Sequence, residues 1–202
     1  MQHGRALRKF VENAWPEFDW DCAFNGFLAD YAKLCRVEVL GPTPVLELVS
    51  RCVVETGTST LYRAIRDAAD DPVLREITNK IQHDEVQHFK HFFQAFRRYA
   101  GASSPGRFAV LKTLAARALE IRDSDSMCAL RHIIDGCANV SDAEKQKLLD
   151  PKAMFKATQQ RLRRHYPYDA AAKMLLAPLM LPPKTKVVAS RTIATVARLI
   201  VA

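Results

Sequence analysis

ETGTSTLYRAIRDAADDPVLREITNKIQHDEVQHFKH, residues 55–91, is the stretch on which the reading of the whole chain turns. Asp71-Pro72 divides it: a capping carboxylate followed by proline at the first helical position starts a helix, and the short turn before it ends another. After the turn, one stripe at helical spacing runs Leu74, Thr78, Ile81, Glu85, His88, Phe92, Phe96. Before it, the matching stripe is Leu48, Cys52, Glu55, Ser59, Tyr62, Ile65, Ala69. Both stripes carry ionisable groups inward, which an apolar interior tolerates only when they pair, hydrogen-bond or bind metal. Glu55 lies 16 residues before position 71 and Glu85 lies 14 after it. In an antiparallel pair the two carboxylates therefore come level within about 3 Å of axial rise.

Outward from this hairpin the punctuation repeats. Thr43-Pro44, Ser104-Pro105 and Asp150-Pro151 propose three more helix starts, and Gly41, Gly101 and Gly136 stand where left-handed C-terminal caps would need them. The expected helices are 21–40, 44–69, 72–99, 106–135 and 151 to about 176, with Ser141 and Glu144 forming a capping box for a short helix that Pro151 terminates. Seven glycines in 202 residues leave little material for the tight turns of a β-sandwich or barrel. The class is all-α. Long helices joined by short turns imply an antiparallel four-helix bundle with extra N-terminal and C-terminal helices. The bundle domain is expected over residues 1–182, and a basic, apolar helical extension over 183–202.

Hydrophobic residues are 49% and charged residues 26%, the balance of a globular chain rather than a disordered one. No secretory signal is read at the N-terminus, and five cysteines without CxxC spacing suit thiols in a reducing compartment, so a cytoplasmic location is expected. The net charge of +8 comes from one region: residues 151–202 hold ten Lys and Arg against one acid, while the rest is nearly balanced. The closing segment VVASRTIATVARLIVA is too short to span a bilayer, carries Arg191 and Arg198, and needs a cover. Packing on its own domain or a homodimer contact is expected, with peripheral membrane contact as an alternative; nucleic acid is not among the expected partners.

A Glu from one helix with Glu-x-x-His from the next is half of a dinuclear carboxylate metal site. Over residues 55–91, including the DP turn and the DExxH ending, the chain resembles the ferritin-like di-iron superfamily, in particular acyl carrier protein desaturases and rubrerythrin-like proteins. The resemblance implies a ferritin-like bundle holding iron, dinuclear by the family pattern, with manganese as an alternative. It also implies a metal-dependent oxidoreductase that acts on a small-molecule or acyl substrate and needs an electron donor. The competing reading is a non-catalytic metal-binding or helical interaction protein with a degenerate site.

The family pattern asks for a second Glu and a second Glu-x-x-His, and here the chain departs from it. One stripe through 106–135 runs Ala109, Thr113, Ala116, Glu120, Asp123, Met127, and brings Glu120 level with Glu85. A rival stripe through Leu111, Leu114, Ala118, Asp125 and His132 turns Asp125 and His132 inward instead. In the last long helix His165 falls at the right depth, but Leu162 stands where the Glu is expected, and Asp169 is a possible helper. Pro167 kinks or ends that helix. The expected metal ligands are thus Glu55, Glu85, His88, Glu120, Asp123 and His165. Asp30 and Tyr31 are reserve candidates on the N-terminal side. Cys52 and Tyr62 are read as core or lining residues, and His83 and His91 as solvated neighbours.

Overall fold

Capping chemistry sets the two central helices in the computed structural model. The Thr43 hydroxyl accepts from the Leu46 amide at 3.2 Å and starts α3, Pro44–Ala68; the Asp71 carboxylate accepts from Val73 and Leu74 at 2.8 and 2.9 Å and starts α4, Pro72–Ala100. Glu47 reaches back so that its Oε2 accepts from the Gly41 amide at 2.7 Å, and the chain passes so close there that a side chain at 41 would stand 2.7 Å from the Glu47 backbone nitrogen. Gly41 is therefore required for close approach and not for a left-handed cap. Gly101 does cap α4, but in right-handed geometry with φ −63. No described glycine has positive φ; the left-handed residue is Met180, at φ 45.

The structure describes residues 2–33, 41–101, 105–120, 128–129, 131–133 and 151–201. The remaining helices are α1, Gln2–Ala14; α2, Trp20–Ala32; α5, Arg107–Glu120; α6, Pro151–His165; α7, Tyr168–Leu175; and α8, Pro183–Val201, with a 3-10 turn at Ala177–Leu179. Residues 128–129 and 131–133 are helical, and no strand occurs among the described residues. The all-α expectation holds. Several boundaries differ from it. An unforeseen helix, α1, precedes Trp15. α2 ends at Ala32 with Lys33 as its cap, and residues 34–40 of the expected span lie outside the described residues. α5 begins two residues after Pro105, and what lies at 121–127, including the centre of the expected 106–135 helix, is outside the described residues, as are the expected cap at Gly136 and the short helix from Ser141. The expected helix from 151 to about 176 is two helices, because Pro167 cannot donate to the ladder and stands at the N-cap of α7.

The chain divides into two compact units, 1–39 with 121–161, and 40–120 with 162–202. In the second, α3 is the central rod: it packs along α4 and also against α5 and α7, while α8 lies on α7. Val49, Cys52, Val53, Thr56, Ser59, Thr60 and Ala64 are buried around much of its circumference. From α4 come Thr78, Ile81, Phe89 and Phe96, and from α5 Val110 and Leu114. Neither expected stripe is matched in full: Val110 belongs to neither, Leu114 faces in as the rival stripe has it, and that stripe's His132 is buried as well, while Leu111, Ala116 and Ala118 are exposed. The hydroxyls of α3 turn back onto its own carbonyls, Thr56 to Cys52 at 2.7 Å and Thr60 to Thr56 at 2.6 Å.

In the first unit α1 packs on α2, and Arg8 bridges Glu12 and Asp21 at 2.6 and 2.9 Å. His132 is buried, its Nε2 3.0 Å from Asp30 Oδ2, and its ring lies close enough to α2 that a Cβ at Gly26 would fall 2.6 Å from Nδ1.

Candidate metal centre

Level placement on an antiparallel pair brings Glu55 of α3 to Glu85 and His88 of α4. One ligand atom from each lies within 4.8 Å of the others, and among the described residues this is the one group of three or more His, Cys, Asp or Glu side chains so placed. His88 Nδ1 stands 3.2 Å from Glu85 Oε2 and 3.7 Å from Glu55 Oε2. The carboxylates are almost enclosed, with side chains 12% and 13% exposed, whereas His88 is 53% exposed. His88 was expected in the core. Phe89 takes that position instead, stacked on Phe93 with ring centroids 6.0 Å apart in a cluster with Cys52 and Ala177, and burial of an aromatic ring outweighs burial of an imidazole. The imidazole consequently closes the rim of the site, one turn above Glu85.

Burial pushes the Glu55 carboxyl up to about 8, the neighbouring Glu85 carboxylate pushes the same way, and only Arg51 opposes them. Glu55 Oε2 is buried and accepts no hydrogen bond. A buried acceptor in that state is costly, and a bound cation would satisfy it. Thr58, whose hydroxyl sits 3.4 Å from Glu85 Oε2, is a neighbour that the sequence stripe did not single out. Arg51, one turn before Glu55, is another; it pairs with Glu47 at 2.7 Å and lends positive charge to the rim.

The surroundings sort the remaining candidates. Cys52 is buried, and burial followed by the Glu55 charge pushes its thiol up to about 12, so it packs as an apolar filler. Tyr62 is raised by burial and then by Glu85, which keeps it a phenol. His83 bonds the Asn79 carbonyl oxygen at 2.7 Å and His91 packs edge-on to Phe92, both exposed and both outside the group.

The second half of the expected ligand set is not brought to the site by the described residues. His165 ends α6 and is exposed; its neighbour Tyr166 instead reaches α3, with its hydroxyl 2.9 Å from Thr60 Oγ1. Asp169 is exposed and ion-paired with Arg198, so it does not assist His165. Glu120 is the last residue of α5, and Asp123 and Asp125 lie outside the described residues. Asp30 and His132, from the N-terminal candidates and the rival stripe, pair with each other in the first unit.

Three donors separated by 3.2 to 4.8 Å fit around one ion after small side-chain adjustments, since bonds of about 2.1 Å in octahedral or tetrahedral arrangement put neighbouring donor atoms about 3.0 to 3.4 Å apart. Two carboxylates with one imidazole suit iron or manganese and leave coordination positions open. No family model, curated protein or solved structure matches the chain, so the site's own chemistry carries the functional argument.

Proposed function

We propose that Glu55, Glu85 and His88 hold a transition metal ion, iron or manganese, and that the protein is a metal-dependent oxidoreductase of ferritin-like type acting on a small organic or acyl substrate. The observation that carries the metal reading is the buried, unbonded Glu55 Oε2 facing two further donors. An ion bound there with open positions supplies dioxygen activation, the chemistry behind hydroxylation, desaturation and oxidation. The residues divide the work of holding it. Glu55 and Glu85 would neutralise its charge from the enclosed side, with the Thr58 hydroxyl donating to Glu85, and His88 would complete the set from the solvent rim.

A second reading is favoured by one observation: Leu162 stands where the family's Glu is expected and His165, three residues on, is exposed, leaving half of a dinuclear ligand set. On that reading the chain is a non-catalytic metal-binding or interaction domain. Metal analysis after purification without chelator, followed by anaerobic ferrous titration and exposure to oxygen, separates the two. Bound metal with oxygen uptake coupled to ferrous oxidation supports the oxidoreductase. Bound metal without oxygen uptake supports the second reading. A chain that retains and binds no metal refutes the oxidoreductase and leaves the interaction domain. Metal content is expected to fall to background in Glu85→Ala and to stay unchanged in His165→Ala.

A further inference from the structure

α8 is docked with its small side chains inward. Ser190 and Ala194 are buried on the side that meets α7, with Ala197 half-buried beside them, whereas Val188, Ile193, Val196 and Leu199 are exposed, Val188 at 66% and Leu199 at 76%. At about 100° per residue, Ala194 and Ala197 fall within about 40° of Ser190, and Ile193, Val196, Leu199 and Val188 share an arc of about 140° on the other side. Lys184 and Arg191 lie along one border of that arc. Arg198, on the same border, is the strut: it pairs with Asp169 and sits 5.7 Å over the Tyr168 ring, fixing the helix to α7. A helix whose sole task was to close its own domain would turn the aliphatic arc inward.

We propose that α8 is a membrane-surface helix whose outward arc enters the headgroup–acyl boundary of an anionic bilayer, with Lys184 and Arg191 at the level of the phosphates. Charge selects this occupant. α8 contains four basic residues and no acid, and residues 151–202 hold ten basic side chains against one acidic. A second copy laid on the same face would bring two all-basic helices together, whereas anionic lipid complements them. The helix lies on the surface rather than crossing it: among the described residues no helix is long and apolar enough to span a membrane. Basic side chains bordering an aliphatic arc reach outward to phosphate while the arc is immersed.

Flotation of the full chain with large vesicles tests this, comparing phosphatidylcholine alone with vesicles containing about 30% phosphatidylserine at low and high salt. Partitioning onto the anionic vesicles is expected to exceed that onto the neutral ones by about tenfold or more and to weaken with salt. The double variant Val188→Asp/Leu199→Asp, at positions exposed in the fold, is expected to lower it by about tenfold or more with the helical circular dichroism unchanged. Three results overturn the proposal: no preference for anionic vesicles; binding that the double variant leaves intact, which assigns it to basic residues elsewhere; or a dimer in sedimentation that the double variant dissociates, which makes the arc a contact between copies.

Discussion

Metal binding at the Glu55–Glu85–His88 group is expected to expel a proton. With the Glu55 carboxyl pushed up to about 8, the metal-free site at pH 7 holds about 0.9 of a proton there, and a cation must displace it before Oε2 can bind. The apparent dissociation constant for manganese(II), which avoids oxidation during the titration, should therefore tighten as pH rises from 7 to 8.5. For a group titrating near 8 the factor is about eightfold over that interval, whereas a carboxyl with an ordinary value near 4 to 5 gives no change. Isothermal titration calorimetry in buffers of different ionisation enthalpy counts the proton directly. About 0.9 should be released at pH 7 and about 0.2 at pH 8.5. Glu55→Gln should abolish both the release and the pH dependence while weakening binding. A dissociation constant that is flat from pH 7 to 8.5, with no proton release at pH 7, would refute the account of Glu55 as a buried, proton-holding ligand.

The same displaced titration makes metal-free stability depend on pH. A carboxyl whose folded value is raised contributes stability that is full below its unfolded value near 4.5 and is lost as pH rises through about 8; urea unfolding should show a decline of about 2 to 3 kcal/mol from pH 5 to 8.5, discounted for solvent screening at the rim, and a flat line in Glu55→Gln would support the assignment. Gly26→Ala should destabilise the first unit by about 1 to 3 kcal/mol, because the new methyl falls 2.6 Å from His132 Nδ1; an unchanged midpoint in thermal denaturation would mean that the ring moves aside freely. Met180→Gly should leave stability unchanged or raise it by up to about 1 kcal/mol, since φ 45 favours glycine, while Met180→Val should lower it; the reverse order in urea midpoints would contradict the backbone argument. Phe96→Ala, removing a ring that is 1% exposed, should cost about 3 to 5 kcal/mol, and a loss below about 1 would show that the α3–α4 core collapses around the void.

The α3–α4 hairpin was legible because its information is local: Thr43-Pro44 and Asp71-Pro72 each place a hydroxyl or carboxylate beside the first free amides, and a three-residue turn leaves one antiparallel pairing. Depth counting then brought Glu55 to Glu85. Rotation about the axis was less legible. Periodicity at 3.6 residues cannot choose between His88 and Phe89 when both are large, and the choice was made by packing on Cys52 and Ala177, the latter far along the chain. Distant partners also decided α5, where Val110 and Leu114 rather than Ala109 and Ala116 turn inward, and the end of α6, where Tyr166 bonds Thr60. Glycine misled for a physical reason: at 41 it is needed for contact with Glu47 and at 101 it stays right-handed, so composition marked the places and not the conformations.

α3 carries an uncommon load of hydroxyls for a helix surrounded by its neighbours, and it satisfies most of them itself. Thr56, Thr58, Ser59 and Thr60 all donate to carbonyls three or four residues back. What α4, α5 and α7 meet is mostly the methyl and methylene surface of these side chains, a greasy bearing with few bonds to break when a neighbour slides or tilts by a fraction of an ångström. The exceptions are few: Tyr166 on Thr60, Met174 sulfur 3.9 Å from Ser59, and Glu85 near Thr58. A rod so lubricated would let α4 adjust along α3 without unpicking the rest of the core. Doubling back also weakens the ladder it bonds to and tends to bend a helix, so the compliance is concentrated along residues 52–60, alongside Glu55.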